Sequence, residues 1–137
     1  NAQNGGFYMG KPIELVAYEA QINAVREAAK NGPCVIVGRC ADYILRDHPR
    51  CVNVFVSASK EARIERLMRI HNIPSEAAEE LMEKADKKRS SYYNYYSYKT
   101  WGAAETYHLC IDSSVLGIDG TVQFIKEFVK LKLGIQK

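Results

Sequence analysis

Cys34-Val35-Ile36-Val37-Gly38-Arg39-Cys40-Ala41-Asp42 is the stretch whose reading decides the fold. The breaker Asn31-Gly32-Pro33 precedes it, and the apolar run of four residues is too short for a helix. Continuous apolar residues, two of them β-branched valines, suit a strand at 34–38 buried on both faces, as in a parallel sheet. Such a strand ends at Gly38 and sets Arg39 and Asp42 just past its carboxyl end. Open α/β sheets take their ligands at that edge. An arginine there is a permanently charged, fork-shaped donor suited to phosphate. The same residues also read as a surface turn with an incidental arginine, and the stretch alone does not separate the two.

Outward from this stretch, composition sets the bounds. A chain of 137 residues is long enough for one domain with a real core. With 47% apolar and 26% charged residues it has the make-up of a globular rather than a disordered chain. No run approaches the roughly 18 apolar residues of a membrane helix, so no membrane partner is expected. A net charge of +3 is too weak to argue for nucleic acid by itself. Cys34, Cys40, Cys51 and Cys110 form no CxxC pair, most adjoin apolar runs, and they read as reduced, buried thiols of a cytoplasmic protein. His48, His71 and His108 lack ligand spacing, so no metal site of the chain's own is expected.

Strands and helices alternate along the rest. Ile13, Val16, Ala17, Ala20, Ala24 and Ala28 mark an amphipathic helix from about Pro12 to Lys30. A short helix is expected near 41–46 and a second strand at Val52–Val56. Ser57 or Ser59 then caps a helix running to about Ile70. Pro74-Ser75 opens a long helix to about Tyr98, laced by Glu80–Lys84 and Glu83–Lys87 pairs. Leu109-Cys110-Ile111 is a third strand, and a last helix, with Val122, Ile125 and Val129 on one face, ends at Gly134. This order implies βαβ units and a parallel α/β sheet.

Gly5-Gly6-Phe7-Tyr8-Met9-Gly10-Lys11 matches half of a phosphate-loop pattern, G-x-x-x-x-G-K. It is rejected: no apolar strand leads into it, and Pro12 stands where a magnesium-binding hydroxyl belongs. Arg63, Arg66 and Arg69 lie three apart, and Asp86-Lys87-Lys88-Arg89 precedes the tyrosine-rich 92–98. These read as a solvated face with rim tyrosines, as a stacking platform for single-stranded nucleic acid, or as a lid over a phosphorylated small molecule.

The order of four short motifs favours the lid. They are Val37-Gly38-Arg39, Ala58-Ser59 followed by Arg63 and Arg66, Asp86-Lys87-Lys88-Arg89, and Leu109-Cys110-Ile111-Asp112-Ser113-Ser114. Together with Gly38-Arg39-Cys40-Ala41-Asp42 and Trp101-Gly102, this order resembles the cytidylate kinase-like family over about residues 13–133. The resemblance implies a P-loop nucleoside monophosphate kinase: a three-layer α/β fold moving the γ-phosphoryl of ATP, with Mg2+, to a (d)CMP-type acceptor. By similarity Arg39, Asp42, Asp86 and Arg89 would hold the acceptor, and Arg63, Arg66 and Arg89 would serve the transferring phosphates. Ser113, Ser114, Val115 and Leu116 would border the adenine.

Three departures from that pattern follow. No strand–P-loop–helix unit is present, so the chain is expected to be the C-terminal two-thirds of the protein, inactive alone. Cys40 stands where cytidylate kinases carry Asp, and Met82 stands where a second lid arginine is expected. The competing expectations are a nucleic-acid-binding module over 60–98, whose basic face Glu79, Glu80, Glu83 and Asp86 interrupt, and a catalytically silent relative.

Overall fold

Two parallel strands, β3 (Val54–Ser57) and β4 (Leu109–Asp112), carry the larger part of the molecule, with Val54 opposite Leu109 and Ser57 opposite Asp112. The computed structural model describes residues 6–136; Asn1–Gly5, including the first glycine of the G-x-x-x-x-G-K match, lie outside the described residues. The chain divides into two compact units, one ending at Pro49 and the other starting at Arg50.

In the first unit, β1 (Phe7–Tyr8) and β2 (Lys11–Pro12) pair antiparallel, Tyr8 opposite Lys11. Met9 and Gly10 between them have φ of 50° and 77°, the two left-handed residues of a tight two-residue hairpin turn. The rejected phosphate-loop match is thus a hairpin, and Lys11 pairs with Glu19 at 3.2 Å. Helix α1 (Ile13–Lys30) follows and packs on α2 (Ala41–Ile44). The expected helix is there, but its buried residue is Val25, while Ile13 is half exposed. The face is chosen by the partner, Ala41 and Ile44 of α2, and not by the alanine stripe.

The strand expected at 34–38 does not form. Cys34–Val37 has no ladder partner among the described residues, and Val35 and Val37 are 92% and 86% exposed. A strand is defined by inter-strand hydrogen bonds, so apolar β-branched sequence without a neighbour stays irregular. The parallel sheet therefore has two strands where the sequence predicts three.

In the second unit, β3 leads into α3 (Lys60–His71), α4 (Ser75–Ser97), a 3-10 turn at Ala104–Thr106, β4 and α5 (Ser113–Leu133). The Ser59 hydroxyl accepts from Ala62 N–H to cap α3, and Asn72 closes it in the left-handed conformation at φ 52°. Helices α3 and α4 pack on each other, and α4 buries Ala78 and Met82. Helix α5 packs on both strands and breaks at Gly117 (φ 72°, ψ 176°), where the Thr121 hydroxyl donates to the Gly117 carbonyl at 2.6 Å. Thr121 is buried there, whereas Val122 is half exposed. Among the described residues no helix is long and apolar enough to cross a membrane.

Candidate functional site

The carboxyl ends of β3 and β4 are tied together by short polar side chains. The Ser113 hydroxyl donates to the Ser57 carbonyl at 3.0 Å, and Ser59 N–H donates to the Ser114 hydroxyl at 2.7 Å. Ser114 N–H in turn donates to Asp112 Oδ1 at 2.8 Å. Hydrogen bonds from the Ser114 side chain, and next from its backbone, hold the Asp112 carboxyl below its usual range. The web fixes where α3 and α5 start. It also commits the Ser113 hydroxyl to the Ser57 carbonyl and the Ser114 hydroxyl to Ser59 N–H and Asp112, leaving Val115 and Leu116 as the open part of that segment, 75% and 52% exposed.

One turn into α3, Arg63 Nη2 meets Asp86 Oδ1 of α4 at 2.5 Å. Arg89 Nη2 lies 3.5 Å from the same oxygen, and its Nε donates to the Ala85 carbonyl at 3.3 Å. Asp86 thus holds two guanidinium groups on one carboxylate oxygen, with Arg63 and Asp86 partly buried and the Arg89 side chain 60% exposed. Lys60 and Glu79 add a second ion pair between the helices, and Glu79 pushes the Lys60 pKa up. Glu80–Lys84 forms as expected, at 3.7 Å; Glu83–Lys87 forms no ion pair among the described residues.

The three arginines of α3 lie in different surroundings. A step of three residues falls short of a full turn by about 60°, so Arg63 reaches α4 while Arg66 and Arg69 remain exposed. Met82, at the position of the expected second lid arginine, is buried at 6% exposure. It fills the α3–α4 seam where an arginine would have to reach solvent.

In the first unit, Gly38, Arg39 and Cys40 are three successive left-handed residues, φ 68°, 61° and 51°. For non-glycine residues this costs on the order of 1 kcal/mol each. The turn is held by Ala41 N–H to Gly38 O at 3.1 Å and by Gln21 Nε2 to Arg39 O at 3.1 Å. It presents Arg39 exposed on a strained, over-determined backbone, with Asp42 in the first turn of α2. Cys40 is buried; that burial, and secondarily Asp42, pushes its thiol up to about 11. It is packing, and cannot replace a ligand-facing aspartate.

Two features escaped the sequence. The first is the strained turn, whose only signal was Gly38. The second is an aromatic knot at the end of α4. Trp101 meets Phe55 of β3 edge-on at 5.4 Å, Tyr107 lies 5.0 Å from Phe55, and Tyr93 stacks on Tyr107 at 6.3 Å. Gly102 at φ 80° lets its N–H reach the Tyr107 hydroxyl at 3.1 Å, and Trp101 N–H donates to Asn94 Oδ1 at 2.7 Å. The tyrosines therefore divide: Tyr93 is buried in the knot, while Tyr95 and Tyr98 are 74% and 87% exposed.

These elements define a mixed α/β protein with a small parallel sheet, flanking helices and a paired-arginine fork on the helices after β3. The chain belongs to the cytidylate kinase-like family, whose model matches residues 2–115. A crystal structure of an uncharacterized protein from Eubacterium ventriosum ATCC 27560 is similar, with a TM-score of 0.80 and 31% identity. The match covers 82% of this chain and 64% of that one, so the chain spans less than two thirds of that neighbour's length. No curated protein matches.

Proposed function

We propose that the intact protein is a nucleoside monophosphate kinase-like phosphotransferase, carrying a phosphoryl group from ATP to CMP or dCMP. The observation that carries this reading is the fork of Arg63 and Arg89 on Asp86. Two guanidiniums side by side repel, and a carboxylate between them holds them where a second anion can bridge them. The incoming anion is the acceptor phosphate. Arg89, weakly held and largely exposed, turns onto it, while Arg63 stays close to Asp86. Charge spreads over the transferring oxygens in the transition state, so cations fixed beside them favour it over the ground state. Arg66 adds charge from the open face of α3. Arg39, offered by its strained turn, and Asp42 touch the acceptor nucleotide, and Val115 and Leu116 give the adenine an apolar border beside Ser113 and Ser114.

In this reading residues 1–137 belong to one P-loop-type domain with a lid at about 60–98. Val35 and Val37, apolar, exposed and without a ladder partner among the described residues, mark where a further parallel strand belongs. The ATP phosphates and Mg2+ do not fit the side chains at hand. The only phosphate-loop match is a hairpin, and the described residues contain no group of three His, Cys, Asp or Glu able to hold a metal ion. In this reading these residues contribute acceptor binding, charge and an apolar border for the adenine.

The test is ATP-dependent phosphorylation of CMP by the intact protein, wild type against Arg89→Ala. Turnover that falls by orders of magnitude in the variant is the expected result. Transfer that is indifferent to Arg89, or tight single-strand binding without any transfer, overturns the proposal.

A further inference from the structure

We propose that Gln21 of α1 is a positioning residue that locks the left-handed turn at Gly38–Cys40 and so aims Arg39; the part that concerns a nucleotide rests on the kinase reading above. Gly38, Arg39 and Cys40 have φ of 68°, 61° and 51° in succession. Glycine adopts such a φ freely, but at Arg39 and Cys40 the left-handed region crowds Cβ against the backbone. Two such residues in a row keep that conformation only where their surroundings hold it.

The ends of the turn are held locally. Ala41 N–H donates to the Gly38 carbonyl at 3.1 Å, and the N–H groups of Tyr43 and Ile44 donate to the Cys40 carbonyl at 3.1 and 3.0 Å. Cys40 and Ala41 are buried. The middle of the turn is different. Arg39 is exposed, and its carbonyl accepts from Gln21 Nε2 at 3.1 Å, 18 residues earlier in the chain. That carbonyl belongs to the peptide unit between Arg39 and Cys40, whose rotation changes ψ of Arg39 and φ of Cys40 together. Turning the unit over takes Cys40 out of the left-handed region and relieves its strain. The Gln21 donor opposes that motion, because the carbonyl leaves its partner when the plane turns. Helix α1 packs on α2, the helix into which the turn leads, so the donor stands on a neighbour already in place. The direction in which the Arg39 side chain leaves the backbone depends on the same angles. The bond that holds the peptide plane therefore also holds the aim of the guanidinium. Cys40, at 4% exposure beside that peptide, reports whether the turn is closed.

The test uses the intact protein with Gln21→Met, which keeps the length and loses the donor, and Gln21→Glu, which keeps the shape but as a carboxylate has no N–H to give. Native labelling of Cys40 by iodoacetamide, read by peptide mass mapping, should quicken about two- to tenfold in Gln21→Met, as loss of one neutral hydrogen bond implies. Gln21→Glu should quicken it at least as much. Gln123→Met on α5 removes an exposed amide elsewhere and should leave the labelling rate unchanged. In ATP-dependent phosphorylation of CMP, Gln21→Met should raise KM for CMP at least about twofold as the closed fraction falls, with kcat nearly unchanged. In an Arg39→Ala background it should raise KM no further, since Gln21 acts through Arg39. Unchanged Cys40 labelling in both Gln21 variants, an unchanged KM, or a KM effect that persists in full without Arg39 overturns the assignment. An intact protein that does not phosphorylate CMP overturns the kinase reading alone, and the labelling then decides the lock by itself.

Discussion

Arg63 and Asp86 stand 23 residues apart in the chain and meet at 2.5 Å, joining α3 to α4 through a carboxylate oxygen that Arg89 also reaches. Removing the charge tests what it contributes. Asp86→Asn leaves two guanidiniums facing each other with a neutral partner, in a site about a third open to solvent. The expected loss is about 1 kcal/mol, between the values for exposed and charge-assisted buried pairs. A shifted urea midpoint at unchanged slope checks this; an unaltered midpoint means the pair is stabilised no more than its two partners in water.

Arg89 carries the functional weight in the proposed chemistry. In the intact protein, Arg89→Lys should recover only part of the CMP turnover lost in Arg89→Ala, since an ammonium cannot present a bidentate fork. Tyr95→Ala and Tyr98→Ala remove exposed rings, and should leave turnover within a few-fold of wild type. Steady-state rates and single-strand affinities of the four variants decide between this ranking and its inverse, in which the tyrosines dominate single-strand binding.

Met82 and Gly102 test packing. Met82→Ala empties a site that is 6% exposed and should cost about 2–5 kcal/mol. Gly102→Ala meets Phe55 Cζ at 3.5 Å, ordinary contact, so its penalty comes from φ of 80° and should be about 1–2 kcal/mol. Denaturant melts of both variants measure the two effects, and a Gly102→Ala protein as stable as wild type would contradict a cost from the positive φ at that position.

Stability should fall in mild acid through His108. Asn53 N–H donates to His108 Nδ1 at 2.9 Å, which only the neutral ring accepts. Burial first, then Lys132 and Lys99, lower its pKa from 6.5. The folded pKa lies below the unfolded one, so the contribution is complete above 6.5 and is lost as pH falls through the folded value. His108→Asn keeps an acceptor without titrating. Its urea midpoint should show a shallower decline between neutral pH and pH 5 than that of wild type; parallel curves would assign the decline to other groups.

The cysteines should separate by reactivity. Cys34 and Cys110 are exposed, while Cys40 is buried with its thiol raised to about 11. Iodoacetamide at mildly alkaline pH should label Cys34 and Cys110 in the native protein and reach Cys40 only after unfolding. Peptide mass mapping reads this directly, and native labelling of Cys40 would show that the Gly38–Cys40 turn opens.

Read by itself, the sequence determined the helices, because their signals are local. Periodicity, a serine cap at 57 or 59, the Gly134 stop and the Pro74-Ser75 opening all act within a turn or two of chain, and α1, α3, α4 and α5 lie close to where they place them. It also determined the family, through short motifs in order. Tertiary structure alone decided the rest. Cys34–Val37 has the composition of a strand, but a strand is a relation between two segments, and none of the described residues pairs with it. The buried face of α1 was set by α2, and the pairing of Arg63 with Asp86 by helix phase across two elements. The place of Trp101-Gly102 against Phe55 joins residues 46 and 47 positions apart, a distance over which no local pattern carries information.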